Sequence, residues 1–439
     1  MHMSIIGVLA SVTLVAMGAP QERSPTQLDS LVAVALERNP SMAAAAERAR
    51  AAEARIPAAG ARPDPTLSLS LRNFPVTEPG FDDFMTMKTI GLSQILPYPG
   101  KLSLAQEAER SEARAARAAL EELRLDVARE VRQTYYDLAF IDRALEVVRR
   151  HSDVLGTLVS TADVRYAVGA AGQEDVLQAQ VETAALADEA AGLTERRQVV
   201  LAALNRLLNR PPLTPVEGVT VPTELTAAAV RPPDRISFVS MDPGARVANS
   251  PLRPLDELLD AVARNSPTIH IHIARIEAQQ ARLEWARKAH LPDFDVSLSY
   301  GQRDARPDML TLSLAIPLPL SRDVRQGAWA SEAEAELAAL RSEHADHVNR
   351  LQARVTQLYA DLERDRTSLV ILTSGMLPQE SAALQAATAG FGVSRTDFST
   401  VLMTQTALYQ FETSFHRLLT DFAKNLAELE QLVAEEILR

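Results

Sequence analysis

Four short stretches of this chain alternate strictly between apolar and polar side chains, and two very long ones repeat with the period of a helix. From Thr66 to Phe74, Leu67, Leu69 and Leu71 alternate with Ser68 and Ser70; a second extended run covers about Met85 to Leu96, where Lys88 and Gln94 make the alternation less clean. Val296, Leu298 and Tyr300 alternate with Ser297 and Ser299 in the run 291–300, and Leu310, Leu312, Leu314 and Ile316 alternate with Thr311, Ser313 and Ala315 in the run 310–319. Period-2 patterning predicts strands with one apolar and one polar face.

The helical stretches are of another scale. Between Gly100 and about Tyr166 there is no proline and one interior glycine, Gly156, among many Ala, Leu, Glu and Arg. Those are strong helix formers, and roughly 67 such residues make a rod on the order of 100 Å long. Leu138, Ile141, Leu145, Val148, Ser152, Leu155 and Val159 step by three and four along it, the spacing of a coiled-coil seam. Leu337, Leu340, His344, His347, Leu351, Val355, Leu358 and Leu362 do nearly the same in a second run, about Asp323 to Ala389.

Punctuation orders these pieces. A helix opening at Leu28 breaks at Asn39-Pro40 and resumes to about Gly60; the strands follow; then Leu96-Pro97-Tyr98-Pro99-Gly100 opens the first rod. Gly169-Ala170-Ala171-Gly172 turns the rod into a second helix, Glu174 to about Asn209. Nine prolines then forbid a long helix between Pro211 and Pro254. After it the order is replayed at a spacing of about 225 residues, with Pro267 in the place of Pro40, a turn at Gly390-Phe391-Gly392-Val393-Ser394 and a closing helix to about Leu438. The pattern divides the chain into a first structural repeat (25–210), a proline-rich insert (211–254) and a second structural repeat (255–439).

Residues 1–18 read as a signal peptide, because Ile5 to Ala19 is apolar but shorter than the roughly 20 residues that span a membrane. No later segment reaches that length, so membrane insertion would have to use the strands. Alternation over about 9–11 residues suits a β-barrel wall, although a soluble half-buried sheet has the same signature. Four strands cannot close a barrel, which needs at least about eight, so several chains would have to share one.

Composition narrows the classes. Aromatics are only 5% against 46% hydrophobic residues, the balance of long alanine- and leucine-rich helices. The net charge of −12 leaves no footprint for nucleic acid. The absence of cysteine excludes disulfides, thiolate metal sites, cysteine nucleophiles and a lipid-modified cysteine. No nucleophile elbow, P-loop, zinc-protease or dinucleotide motif is present, so the reading is of a non-enzyme without cofactors.

The duplicated helix openings at Leu28–Pro40 and Leu255–Pro267, the Pro-Asp-containing strand entries at Pro63 and Pro292, Pro97-Tyr98-Pro99-Gly100-Lys101, Tyr166-Ala167-Val168-Gly169 and Gly390-Phe391-Gly392-Val393 together resemble the TolC family of outer membrane efflux proteins. The resemblance implies a mainly α fold with a small β part. It implies a homotrimer whose chains contribute four transmembrane strands each to a shared β-barrel, continued into the periplasm by an α-helical barrel of long hairpins. It implies a passive exit duct docked through a periplasmic adaptor on an inner-membrane pump. The stretch Met85–Leu102 looks most like the heavy-metal branch. A periplasmic coiled-coil adaptor, or the same fold serving type I protein secretion, are the alternatives.

A gate belongs at the turns between rods, which makes Tyr166, Gly169, Gly172, Gly390, Phe391 and Ser394 candidates. In the family an acidic ring lies just past the second turn; the matching residues here are Thr400 and Met403, so carboxylates would have to come from Glu174 and Asp175 instead. Acidic residues at a helix start also simply complement its dipole. His344 and His347, at i and i+3, are the metal candidates, with hydrogen-bonded seam histidines as the ordinary reading; His270 and His272 point to different faces of their helix and suggest nothing. Three copies of a chain this acidic would favour cations in the pore.

Overall fold

The computed structural model describes residues 26–438 apart from 78, 170–171, 231–251 and 305. The expected signal peptide and the later part of the proline-rich insert lie outside the described residues.

Helix α1 (Gln27–Arg38) begins with a reciprocal cap: the Thr26 hydroxyl accepts from the Asp29 backbone N–H, and the Asp29 carboxylate accepts from Thr26 N–H at 3.0 Å. Asn39 ends it and caps α2 (Pro40–Gly60), accepting from Ser41 N–H at 2.9 Å with Pro40 at the tolerated first position. Strands β1 (Thr66–Arg72) and β2 (Met87–Leu96) follow, then α3 (Lys101–Ala167) and α4 (Gln173–Leu207). The described part of the insert forms α5 (Thr223–Val230). The same order then recurs: α6 (Leu255–Asn265), α7 (Pro267–Lys288), β3 (Phe294–Gln302), β4 (Met309–Ala315) and a second rod leading to α10 (Phe398–Val433).

The second rod departs from the expected unbroken helix. It runs as α8 (Arg322–Ile371), a π-helical turn (Leu372–Met376) and α9 (Leu377–Gly392). Pro378 has no N–H to give, and the wider turn just before it absorbs the mismatch. The Thr373 hydroxyl donates back to Leu369 O at 2.8 Å there. The rod also reaches past Ala389, so Gly390 and Phe391 close a helix rather than form the turn. The first rod is a single helix of 67 residues, about 100 Å long.

All four strands form one antiparallel sheet in the order β1-β2-β3-β4. The central β2–β3 pair therefore joins the two halves of the chain, with Ile90 opposite Tyr300 and Gly91 opposite Ser299. One face carries Leu67, Leu69, Leu92, Leu298, Leu312 and their neighbours, all well exposed. Gln94 falls on that face and is satisfied by backbone, donating to Pro63 O at 2.6 Å. Lys88 stands at the far end with its ammonium 4.4 Å from the centre of the Phe81 ring. β1 and β4 keep an open edge within the chain.

The corner between β2 and α3 is pinned to its counterpart in the other half. Asp293 accepts from Tyr98 N–H and from the Lys101 ammonium, each at 2.8 Å, and Lys101 also donates to Leu291 O. Gly100 starts α3 at φ +89°, a conformation that disfavours any other residue.

Among the described residues three larger apolar cores follow along the rods, with smaller clusters between α7 and its neighbours. Around α5, α6, α8 and α10 lie Val355, Leu358, Phe422 and Leu429. Around α1, α3 and α4 lie Val131, Leu138 and Leu204, covered by Val216 and Val219 of the insert. The third occupies the far end of both hairpins. The chain end returns to the middle, where Leu438 bridges to Leu252 and Arg253 N–H donates to Ile437 O. Among the described residues no helix is long and apolar enough to cross a membrane.

Candidate functional site

Both hairpin tips are built on backbone that needs special residues. α3 ends at Val168, whose N–H donates to Val164 O, and Gly169 follows at φ +72° with its N–H on Tyr166 O. At the second tip Ser394 takes the left-handed position at φ +58°, and Arg395 N–H donates to Gly390 O at 2.9 Å. Gly390 is favoured for a different reason: a Cβ there would meet the Thr396 hydroxyl, which would have to turn away.

Arg165 ties the two tips together. Its guanidinium donates to Phe391 O and, at 2.9 Å, to the Ser394 hydroxyl, while lying 4.3 Å from the centre of the Phe391 ring. Phe391 is buried against Phe398 in a core shared with Leu155, Leu158 and Ala162 of the first rod. Phe391 and Ser394 are thus brought together, by an arginine that the sequence reading did not single out. Ser394 occupies the place of Gly169 in the duplication, a correspondence that could have pointed to it.

The remaining tip candidates stand apart from this clamp. Tyr166, Gly172, Glu174 and Thr400 are exposed, and Asp175 is half-buried in the first turn of α4. Met403 is not a packed methionine within the chain: it is 70% exposed, on a groove of about 420 Å³ between α4 and α10 with Gln178, Glu182 and Leu402. Val164, Val168, Leu177, Val181 and Val393 add an exposed apolar collar around the tips.

Farther along the rods a buried polar network joins α3 to α10. His151 is enclosed; one ring nitrogen meets Glu412 at 2.8 Å and the other the Gln405 amide at 2.7 Å, while Arg150 donates to the same Glu412 oxygen at 3.0 Å. With the Gln405 N–H donating to Nδ1, the His151 proton sits on Nε2 and is donated to Glu412. Burial would raise the Glu412 carboxyl, but the His151 hydrogen bond and the Arg150 charge outweigh it and hold the carboxyl low. Gln405, Tyr409 and Glu412 fall at i, i+4 and i+7; that one-sided polar spacing is the signal that could have exposed the network.

His344 and His347 acquire the partner that sequence reading dismissed. The His272 ring stacks on His347 with centroids 4.8 Å apart and lies 6.1 Å from His344. His344 Nδ1 and His347 Nε2 are buried without a hydrogen-bond partner. Burial lowers the His272 and His347 pKa values; His347, Arg275 and His344 push His272 further down against Glu343, and Arg350 and His344 do so for His347 against Asp346. The rings stack rather than converge, and among the described residues no three His, Asp or Glu side chains form a group that could hold a metal ion.

Residues 31–210 and 258–435 match the outer membrane efflux protein family. The cobalt-zinc-cadmium resistance protein CzcC of Cupriavidus metallidurans is 24% identical over 400 residues, covering 89% of this chain and 86% of that protein. Among solved structures, the outer membrane protein VceC of Vibrio cholerae superposes with a TM-score of 0.75 at 20% identity, over 93% of this chain and 96% of its own. CusC, described as forming a transmembrane channel, superposes with a TM-score of 0.74 at 16% identity, over 95% of each chain.

Proposed function

Because the chain belongs to the outer membrane efflux protein family, we propose that three copies assemble into one duct that carries divalent metal ions out of the cell. The family supplies the frame: an outer membrane exit duct of a tripartite efflux system, with its helical barrel in the periplasm. Residues 25–210 and 255–439 act as two repeats of one hairpin-and-strand unit, joined by the insert 211–254.

The observation that carries the assembly is the sheet. Its apolar face suits lipid, yet β1 and β4 each leave a row of backbone groups unpaired, which hydrocarbon does not tolerate. Edge-to-edge closure of three copies gives twelve strands and no edges. The tips close the other end, with Arg165, Phe391 and Ser394 as the clasp and Glu174 and Asp175 as the carboxylates nearest the throat. The apolar collar of Val164, Val168, Leu177, Val181 and Val393 is the surface offered to a periplasmic adaptor, which links the duct to its inner-membrane pump. Likeness to a cobalt-zinc-cadmium resistance protein supports divalent metal as cargo.

The chain has no cysteine of its own, so cysteine pairs can test the assembly directly. With one cysteine on β1 and one on β4, at least one register should trap an oxidised ladder that ends at three chains in the outer membrane fraction. A ladder ending at two, or none in any register, would refute the trimer. Loss of the gene should sensitise cells to zinc, cobalt or cadmium; sensitivity to organic compounds alone would move the cargo elsewhere.

A further inference from the structure

The polar face of the sheet is nearly free of charge, and its few charges are placed at its two ends. In register across the strands, the rows through Ser93–Ser297, Gly91–Ser299 and Thr89–Gly301 consist of serine, threonine, glycine and one methionine. One row nearer the helices, Asp295 stands opposite Ile95 on one side and Ala315 on the other. At the far end, Arg72 stands opposite Met87. Ile95 and Met87 are about eight residues apart on β2, so on the order of 27 Å of hydroxyl-lined wall separates the two charges.

Asp295 differs from its neighbour Asp293. Asp293 is occupied by Lys101 and the Tyr98 N–H, and serves the corner. Asp295 points to the opposite face from Val296 and Leu298, and one of its carboxylate oxygens is buried with no hydrogen-bond partner. A carboxylate on the pore face, without an ion pair among the described residues and bordered by three neutral rows, leaves its charge free to attract a cation.

We propose that Asp295 is the cation-selecting residue of the β-barrel: three copies form a carboxylate ring where the barrel meets the helical duct, faced across the neutral wall by an Arg72 ring at the outer rim. The inference rests on the trimeric duct. The Debye length is about 10 Å at 0.1 M salt, so at that salt the two rings act independently, whereas at about 0.01 M it reaches about 30 Å and they are coupled. The inner ring enriches cations and the outer ring anions, and current passes more easily for one sign of voltage than the other.

Purified trimer in planar bilayers under a KCl gradient provides the test. Asp295→Asn should lower the K⁺/Cl⁻ permeability ratio about twofold near 0.1 M salt, more near 0.01 M, and flatten the current–voltage asymmetry. Arg72→Gln should raise the ratio. Because Ile95 lies directly opposite in register, Ile95→Asp added to Asp295→Asn should restore cation preference, which a purely structural role for Asp295 would not allow. An unchanged ratio for Asp295→Asn at both salt concentrations overturns the proposal. Absence of channel currents from both wild type and an Arg165→Ala variant would overturn the duct itself.

Discussion

The two rods descend from the same pattern and behave as different mechanical parts. The first, α3, is one continuous helix whose seam is closed by Leu138, Ile141, Val148 and Leu155, all nearly inaccessible. The second is broken by the π-helical turn at Leu372–Met376, and its seam carries His344 and His347, whereas the seam of the first is aliphatic apart from Ser152. A continuous helix resists bending, whereas a π-turn beside proline is a ready place to bend. The difference suggests a stiff first hairpin that holds the duct and a second that moves against it. The His151–Glu412 network and the Arg165 clasp link the two hairpins, as do the Lys424–Asp137 and Arg132–Glu430 pairs, and such a movement would have to strain them.

The largest expected effect comes from breaking the stiff rod. Ala144→Pro removes the N–H bond to Phe140 in a buried part of α3 and should cost about 3 kcal/mol or more, with loss of assembled protein from the membrane. Pro378→Ala in the second rod should change stability by about 1 kcal/mol or less. Comparable losses from both would erase the distinction between the rods.

Next in size is the link between them. Glu412→Ala leaves His151 and Arg150 facing a vacancy and should destabilise by about 1–3 kcal/mol, read as a lower temperature for heat dissociation of the assembly. Glu412→Gln should lose less, because the amide oxygen still accepts from His151. Equal loss in both variants would show that packing, not the hydrogen bonds, holds the site.

Smaller again is the clasp. Arg165→Ala should cost about 1 kcal/mol and raise basal conductance while leaving membrane insertion intact. Reduced insertion with an unchanged conductance in the channels that do insert would make the clasp a folding element only.

The smallest effect is pH dependence, to which the histidine contact between α7 and the second rod contributes alongside His416 of α10, whose pKa burial also lowers. Lowered folded-state pKa values for His272 and His347 mean that the unfolded chain binds more protons, so their contribution is complete above about pH 6.5 and is lost as pH falls below it. Heat resistance should therefore decline slightly between about pH 6.5 and 5, and His272→Asn with His347→Gln should flatten that decline. A steeper decline in the variant would contradict the assignment.

Much of this architecture is legible in the residues. Alternation at Leu67–Leu71 and Leu310–Leu314, the helix-forming run after Gly100 and the prolines at 40, 97, 99 and 267 are local signals, and each marks the element found there. The rods were legible because a seam of threes and fours needs only its own spacing to be seen. Pro378 shows the limit: it was present to be read, yet whether a proline breaks, kinks or merely widens a helix depends on what packs around it.

The candidate site divides along the same line. Gly169 stands out as a turn residue, and Gly390 and Phe391 as a glycine and an aromatic next to each other in the chain. Arg165 meets Phe391 across about 226 positions, and His272 meets His347 across about 75, distances over which pattern carries no information. By itself the sequence determined the elements, their order and their two-faced strands, because those follow from dihedral preference and the period of side chains along one segment. Only the tertiary structure decided that β2 pairs with β3, that the tips are clasped by an arginine, and that Asp293 is paired while Asp295 keeps an unpartnered oxygen. Those outcomes depend on which surfaces meet, and no local propensity encodes a meeting between segments hundreds of residues apart.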